Sequence, residues 1–409
     1  MQQNGIQLGL KENWKQFTLL VIVNAFVGGM VGMERSILPL LASETFHIQA
    51  KFAVLSFITI FGVSKAVANF FSGKLSDKIG RRNVLILGWI LAIPVPYIII
   101  YAQSWNWVVF ANVLLGIHQG FAWSSTVVMK IDLVGEKQRG LAMGLNEFAG
   151  YLSVAIMAMI TAFVAEKYGV RPYPFYLGIG LIILGLIVTF FFVKDTLKHS
   201  QQESKSSNIP QLKNVFVDTT WRNSNLGSIT QAGLVNNLND GMVWGLLPVL
   251  LALQHFNLKE IGIVAGIYPA IWGLGQLVTG KMADLFSKKR MLFWGMTIQG
   301  IALILMVFAH DFYAWVSISA ALGIGTALVY PTFLASIAQY TNPMDRAQSL
   351  GVFRFWRDLG YAIGAVSTGI IADNFGINAA IFSIALVTLL SAMIIQIRFK
   401  EHGNININR

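Results

Sequence analysis

What most constrains this chain is that its apolar residues are gathered into twelve separated runs, each long enough to cross a lipid bilayer. A membrane-spanning helix needs ~20 predominantly apolar residues. The runs lie at approximately 17 to 41, 52 to 73, 83 to 103, 106 to 129, 140 to 165, 172 to 194, 226 to 254, 260 to 280, 291 to 309, 311 to 339, 347 to 372 and 377 to 397. Twelve spans take ~240 residues, well over half of a 409-residue chain, so little apolar sequence is left to build a soluble domain. The composition agrees: 12% of residues are charged, against ~25% in ordinary globular domains.

Several function classes drop out. The chain has no cysteine, which removes thiol nucleophiles, disulfide scaffolds and Cys-based metal or cluster sites. A formal net charge of +11 suggests nucleic acid at first sight, but most basic residues sit in short loops between apolar runs, so no nucleic-acid partner is expected. If the N-terminus is cytoplasmic, twenty-two Lys and Arg fall on the inner side, from Lys11 and Lys15 through Lys130 and Arg346 to Arg409. Only Lys51, Lys167, Arg171 and Lys259 fall outside. The positive-inside rule then predicts both termini in the cytoplasm. The first sixteen residues are polar, and span one has no small-residue cleavage site after a short apolar region, so the first helix is expected to stay uncleaved.

The sequence repeats at an offset near 207. Gly73-Lys74-Leu75-Ser76-Asp77-Lys78 returns as Gly280-Lys281-Met282-Ala283-Asp284-Leu285, and Leu115-Gly116-Ile117 as Leu322-Gly323-Ile324. Arg139 with Gly144 returns as Arg346 with Gly351, and Ala165 to Gly169 as Ala372 to Gly376. Gly32-Met33 and Leu38-Pro39 return as Gly241-Met242 and Leu247-Pro248, at offset 209. Between the copies lies a polar stretch rich in Ser, Gln, Asn and Lys. The expected organisation is an all-α integral membrane protein with twelve transmembrane helices in two pseudo-symmetric six-helix bundles. These are residues 1–195 and 225–400, joined by a cytoplasmic linker at 196–224 and followed by a short tail at 401–409. Two similar halves can rock about a site between them and expose it to each side in turn.

The segment Gly73 to Arg82, between spans two and three, resembles the signature loop of the major facilitator superfamily, with a degenerate copy at Gly280 to Arg290. Span number, repeat, linker and both loops extend the resemblance over the whole chain. It implies a secondary transporter and says almost nothing about substrate. In physical terms Gly73 and Gly280 let helix ends approach, and Asp77 offers a carboxylate to the positive end of a neighbouring helix. Arg81 and Arg82 can reach acids such as Asp132 at the end of span four. The resemblance gives Asp77, Arg81 and Asp284 a gating role. Arg82, Asp132 and Lys288 are expected at the same cytoplasmic gate, with Arg354, Arg357 and Asp358 of span eleven.

Ionisable residues inside spans are costly and are candidate functional groups. They are Glu34, Arg35, Lys65, His118, Glu147, Asp240, Arg354, Arg357 and Asp358, with acids and bases balanced, so mutual pairing is one expectation. Span one places Arg35 three turns beyond Asn24 on one face. In span seven Asn237, Asp240 and Trp244 share a face at i, i+3, i+7 beside Asn236, which makes Asp240 the first candidate for a titrating or cation-contacting carboxylate. Span four offers His118, Gln119 and Trp123. The family's proton-driven drug antiporters commonly carry an Arg three residues before this Gln. Here that position is Gly116, so that role does not carry over. Arg354 and Asp358 have i, i+4 spacing. Trp244 and Tyr330, with Trp272 and Trp356, are candidate cavity aromatics.

The expected substrate cavity is Asn24, Glu34, Arg35, His118, Gln119, Trp123, Asn236, Asn237, Asp240, Trp244 and Tyr330, and the proton-coupling candidates are Asp240, Glu34 and Glu147. No nucleotide-binding loop and no His-Glu-x-x-His zinc motif occur, so neither ATP-driven pumping nor metal-dependent catalysis is expected, and no cofactor or metal. The expected function is a monomeric transporter of a small solute across the cytoplasmic (inner) membrane by alternating access, proton-coupled, with export favoured. The expected partners are a small-molecule substrate, protons and the lipid bilayer. Balanced intramembrane charge fits a zwitterion, a weak acid or an amphipathic molecule. An uptake permease and a non-transporting receptor are the alternatives.

Overall fold

The computed structural model describes residues 6–35, 37–48, 50–256 and 258–401. It is helical, with no strand among those residues. That is what a bilayer imposes, since only a helix or a closed barrel satisfies its own backbone hydrogen bonds in hydrocarbon. In the first half of the chain the helices are α1 (Trp14–Arg35), α2 (Leu38–Phe46), α3 (Ala50–Ile79), α4 (Arg81–Ala92), α5 (Pro94–Tyr101), α6 (Trp105–Val134), α7 (Arg139–Tyr168) and α8 (Tyr173–Phe191). Then come α9 (Leu197–Ser206), the short α10 (Val215–Val217) and a wide turn at Asp218–Arg222. The second half has α11 (Ser224–Leu253), α12 (Leu258–Leu285), α13 (Lys288–Phe308), α14 (Phe312–Gln339), α15 (Arg346–Phe375) and α16 (Ile377–Arg398).

Counting α1 with α2 and α4 with α5, the twelve expected spans are present. Two depart from a single rod because proline cannot continue a hydrogen-bonded helix. Span one ends as α1 at Arg35 and resumes as α2 with Pro39 in its first turn, and span three breaks at Ile93 before Pro94. Pro248, Pro269 and Pro331 are absorbed inside α11, α12 and α14. Side-chain caps start three helices of the second half. Asn223 accepts from Asn225 N and Leu226 N, Ser287 from Arg290 N at 3.1 Å, and Asp311 from Ala314 N at 3.1 Å.

Eight described segments are long and apolar enough to cross a membrane on composition alone. The four remaining spans, α3, α6, α11 and α15, are each 30 residues long. They carry buried polar groups: Asn69 on α3, His118, Lys130 and Asp132 on α6, Asp240 on α11 and Arg354 on α15.

The chain forms two compact units. One comprises Met1–Gln138, Leu145–Gln211 and Thr341–Phe355, the other Arg139–Gly144, Leu212–Tyr340 and Trp356–Arg409. The units follow the two halves of the sequence except for two exchanged segments. The first residues of α15 are built into the first unit, and the first residues of α7 into the second. Glycine is the local cause. A Cβ on Gly73 would stand 2.5 Å from the Ala347 carbonyl oxygen, and one on Gly280 would stand 2.7 Å from that of Gly140. In the second unit Leu238, Met242, Leu303, Trp315 and Ile381 lie in one apolar core. In the first unit α3 packs along α6 so tightly that a Cβ on Gly116 would meet the Phe61 carbonyl oxygen at 2.7 Å. An arginine at position 116 would require those helices to separate.

The stretch expected to be a plain linker is more ordered than its composition suggests. Its helix α9 buries Ser200 and Glu203 within the first unit. Of the expected tail, Glu401 accepts from Ser287 Oγ at 2.6 Å and Lys289 N at 3.1 Å, closing the start of α13. Residues 402–409 lie outside the described residues.

Candidate functional site

In the second unit, a polar and aromatic cluster is assembled from α11, α12, α14 and α15. Asp240 is 1% exposed and accepts a hydrogen bond from the Tyr268 hydroxyl, which also lies 3.2 Å from Thr326 Oγ1. Tyr268, Trp272 and Gln276 follow one another at i, i+4 and i+8 on α12 and so share a face. The Tyr268 and Trp272 rings stack at 6.0 Å, and Trp272 meets Tyr330 of α14 at 5.1 Å. The Arg357 guanidinium lies 5.2 Å over the Tyr330 ring and donates to Asp358 at 2.8 and 2.9 Å. Trp244 stands at the more exposed side, 6.5 Å from Tyr268. Asn236 donates to Asn237 Oδ1 at 3.3 Å. Asn236, Asn237, Asp240, Trp244, Tyr330, Arg357 and Asp358 thus fall in one unit. Arg357 and Asp358, expected at the gate, lie in contact with Tyr330 and with each other.

The first unit holds a buried charge cluster around Glu147 of α7. Its Oε1 accepts from Trp123 Nε1 at 3.0 Å and from Asn146 Nδ2 at 2.6 Å, and Arg354 Nη2 stands 3.6 Å away. Arg354 also donates to Ser124 Oγ at 3.2 Å, and Ser124 donates to Asn69 Oδ1 at 2.5 Å. Arg354 therefore turns to Glu147, and Asp358 is held by its neighbour Arg357. Lys130 was counted above as a loop charge, but it is 0% exposed. Its ammonium donates to the Leu20 carbonyl at 3.0 Å, within electrostatic range of Glu147 and Arg354.

The other span residues of the first unit divide by contact. Asn24 donates to the Asn146 carbonyl at 2.8 Å and accepts from Thr126 Oγ1 at 2.9 Å, which ties α1 to α6 and α7. His118 faces α4: its Nδ1 is 2.9 Å from the Gly88 carbonyl oxygen and its ring 4.8 Å from Trp89. Both side chains contact neighbouring helices. Gln119 is buried, and Glu34 is buried beside Asn112 of α6. The Arg35 side chain lies outside the described residues.

Each repeated loop brings a carboxylate to the start of a helix. In the second unit Asp284 accepts from Gly140 N at 2.6 Å and Leu141 N at 2.8 Å. This is a carboxylate on the free N–H groups of a helix start, where the helix dipole favours it. Lys288 lies within electrostatic range of Asp284. In the first unit Asp77 accepts from Gln348 Nε2, in the first turn of α15, at 3.1 Å and from Arg81 at 2.9 Å. Arg81 also donates to Asp132 at 3.3 Å. Arg82 instead donates to the Thr189 and Phe190 carbonyls at the end of α8, where open acceptors favour a cation.

Asp132 is a wider hub than the sequence suggested. Thr196 donates to it at 2.9 Å and Arg346 Nη1 stands 3.6 Å away. Arg346 makes a two-pronged pair with Glu203 of α9 at 2.8 and 2.9 Å, and Ser204 donates to Asn342 Oδ1 at 3.0 Å. Burial lowers the His199 imidazole on the same helix below its usual range, against the pull of Asp195. In the second unit the Tyr340 phenol is pushed up to about 12 by burial and by Glu401.

Sequence reasoning missed Lys130, Tyr268, Gln276, Glu203 and the pairing of Arg346. The repeat held a usable signal, since its offset maps Arg139 onto Arg346, Trp123 onto Tyr330 and Glu147 onto Arg354.

Comparison with known proteins agrees with this geometry. The family model for the Major Facilitator Superfamily matches residues 20–228 and again 229–404. The multidrug resistance protein MdtG of Proteus mirabilis is 22% identical over 405 residues, covering 95% of this chain and 97% of that protein. The proton-coupled antiporter flippase LtaA of Staphylococcus haemolyticus is 25% identical over 416 residues, covering 97% of each. The human organic anion transporter MFSD10 shares the fold at TM-score 0.79 and 15% identity, with 94% of this chain and 99% of that one covered.

Proposed function

The chain belongs to the Major Facilitator Superfamily, and from that premise we propose that it exports a small amphipathic or zwitterionic solute across the cytoplasmic membrane in exchange for protons. It is a multi-pass membrane protein of a transporter family. Both termini lie in the cytoplasm in this reading, which follows from the excess of Lys and Arg in the loops on that side. The observation that carries the reading is the pair of loop carboxylates, Asp284 on the first turn of α7 and Asp77 on Gln348 of α15. Each sits at a helix start taken from the other sequence repeat, so each must release when the cytoplasmic side opens. Glu147, bonded by Trp123 and paired with Arg354, is a buried charge that exchanges partners in the same motion.

Asp240 on the Tyr268 hydroxyl is the carboxyl to which substrate and proton bind in alternation, and Glu34 is a second carrier. The aromatic face of Tyr268, Trp272 and Tyr330 takes the apolar body of the solute. Relatives named as a multidrug resistance protein and as a proton-coupled antiporter support export and proton coupling. The test is proton flux in liposomes holding the purified protein and a pH-sensitive dye, while amphipathic and zwitterionic solutes are added. Solute-dependent proton movement is expected in the parent and its loss in Asp240→Asn. Solute movement without protons in the parent would remove the coupling.

A further inference from the structure

The repeat places Gln276 on α12 where the first half has Asn69 on α3, and Pro331 on α14 where the first half has Ser124 on α6. In the first unit the two residues complete each other: Ser124 donates to Asn69 Oδ1 at 2.5 Å, and Arg354 donates to Ser124 at 3.2 Å. In the second unit proline has replaced the hydroxyl, and the longer amide of Gln276 remains. It is 0% exposed, and neither its nitrogen nor its oxygen has a hydrogen-bond partner. A buried primary amide with nothing bonded to it costs stability, whereas an apolar side chain of the same shape there would cost nothing. Packing therefore does not account for it.

The position supplies a reason. Gln276 is the next residue on the face that carries Tyr268 and Trp272, one turn beyond the indole that meets Tyr330. On α11 of the same unit, Asn236 Oδ1 and Asn237 Nδ2 are likewise buried without a partner. Arg357 and Asp358 of this unit, by contrast, engage each other. What this face offers unspent is a neutral donor and a neutral acceptor beside a stack of rings.

We propose that Gln276 is a specificity-determining residue of the substrate site, and that its ligand is an uncharged polar group carrying both donor and acceptor, of the sugar-hydroxyl or carboxamide kind, on a ring-sized apolar body. The inference rests on the transporter reading for its purpose, but its test reads binding and not flux, so the two can fail separately.

The full-length protein in lipid nanodiscs is titrated with four probes sharing one ring: phenyl β-D-glucoside, benzamide, benzoate and phenyltrimethylammonium. The parent is expected to bind the first two in preference to the two ions. Gln276→Met, close in shape, is expected to melt a few degrees higher than the parent without ligand. It should bind phenyl glucoside about tenfold more weakly, the loss of one such hydrogen-bonded anchor. Pro331→Ser restores the hydroxyl of the first repeat. It is expected to give the amide a partner and weaken phenyl glucoside binding while Gln276 is intact. A lower melting temperature in Gln276→Met would show that the amide is a structural anchor and overturn the proposal. So would unchanged glucoside binding in both variants, or a parent that binds the ions as well as or better than the neutral probes.

Discussion

Arg354 and Glu147 occupy the same position in the two sequence repeats, carry opposite charges and stand 3.6 Å apart, each 1% exposed. Removing one member of a buried pair leaves the other uncompensated and costs about 3–5 kcal/mol, whereas replacing both with apolar groups is often close to neutral. Arg354→Met is therefore expected to lower the melting temperature in detergent markedly, and the double variant Arg354→Met with Glu147→Met to recover most of the loss. Recovery by less than half would mean that Lys130 or Trp123, and not Arg354, is the main partner of Glu147. His118 makes the opposite case. Its Nδ1 is taken by the Gly88 carbonyl of α4 and its ring packs on Trp89 of the same helix, so His118→Phe is expected to keep solute flux within about twofold of the parent, a difference below ~0.5 kcal/mol. Loss of flux in a well-folded His118→Phe would return the imidazole to the proton path. At this scale the sequence was legible where residue type alone set the role: an acid in a span is rare enough to point to itself. Burial and partner were not legible. Lys130 reads as a loop lysine until α6 is seen to run on to Val134 and bury it, and Tyr268 looks like any span aromatic until it meets Asp240.

Helix α9 illustrates what composition hides at the scale of an element. Its sequence, Leu197 to Ser206, is polar nearly throughout and reads as solvated linker, because a hydrophobic pattern is the usual sign of a helix with a buried face. The face that α9 buries is ionic. Glu203 grips Arg346 through two hydrogen bonds, and Ser200 and Ser204 bond to the Pro343 carbonyl and to Asn342. No period of apolar residues announces such a face, and its partner lies 143 residues away. The repeats were legible because they recur in order. The compact units were not, since the residues of α7 and α15 that leave their own repeats do so at glycine contacts that no local signal records. If α9 holds the loop end shut, Glu203→Ala should raise the population in which Arg346 is released. A hydrogen bond to a charged group contributes about 1.5–3 kcal/mol, so the open population should rise at least ~tenfold. The measurement is maleimide labelling of Ser349→Cys, a fully buried position on α15, in membranes. An unchanged rate would make α9 a passive tether.

At the scale of the whole molecule, the repeat places a loop carboxylate at a helix start twice, with different chemistry, and the proposed function makes both of them latches. Asp284 takes two backbone N–H groups at the start of α7, whereas Asp77 takes the Gln348 side chain and is braced by Arg81. The two share no partner and belong to different compact units, and sites without shared partners contribute additively to a free energy. The chain contains no cysteine, so single cysteines report on each latch without background. Ser349→Cys on α15 reads the unit that holds Asp77. Ser336→Cys, fully buried on α14, reads the unit that holds Asp284. If opening is one concerted transition, Asp77→Asn and Asp284→Asn should each speed labelling at both positions. The combined variant should then show the product of the two single factors, since the free energies add within one equilibrium. If each latch governs only its own surroundings, Asp77→Asn will speed Ser349→Cys alone and Asp284→Asn will speed Ser336→Cys alone. Rocking of two halves about a central site requires the first pattern. The second would leave two local openings, and alternating access would then need a moving element other than these loops.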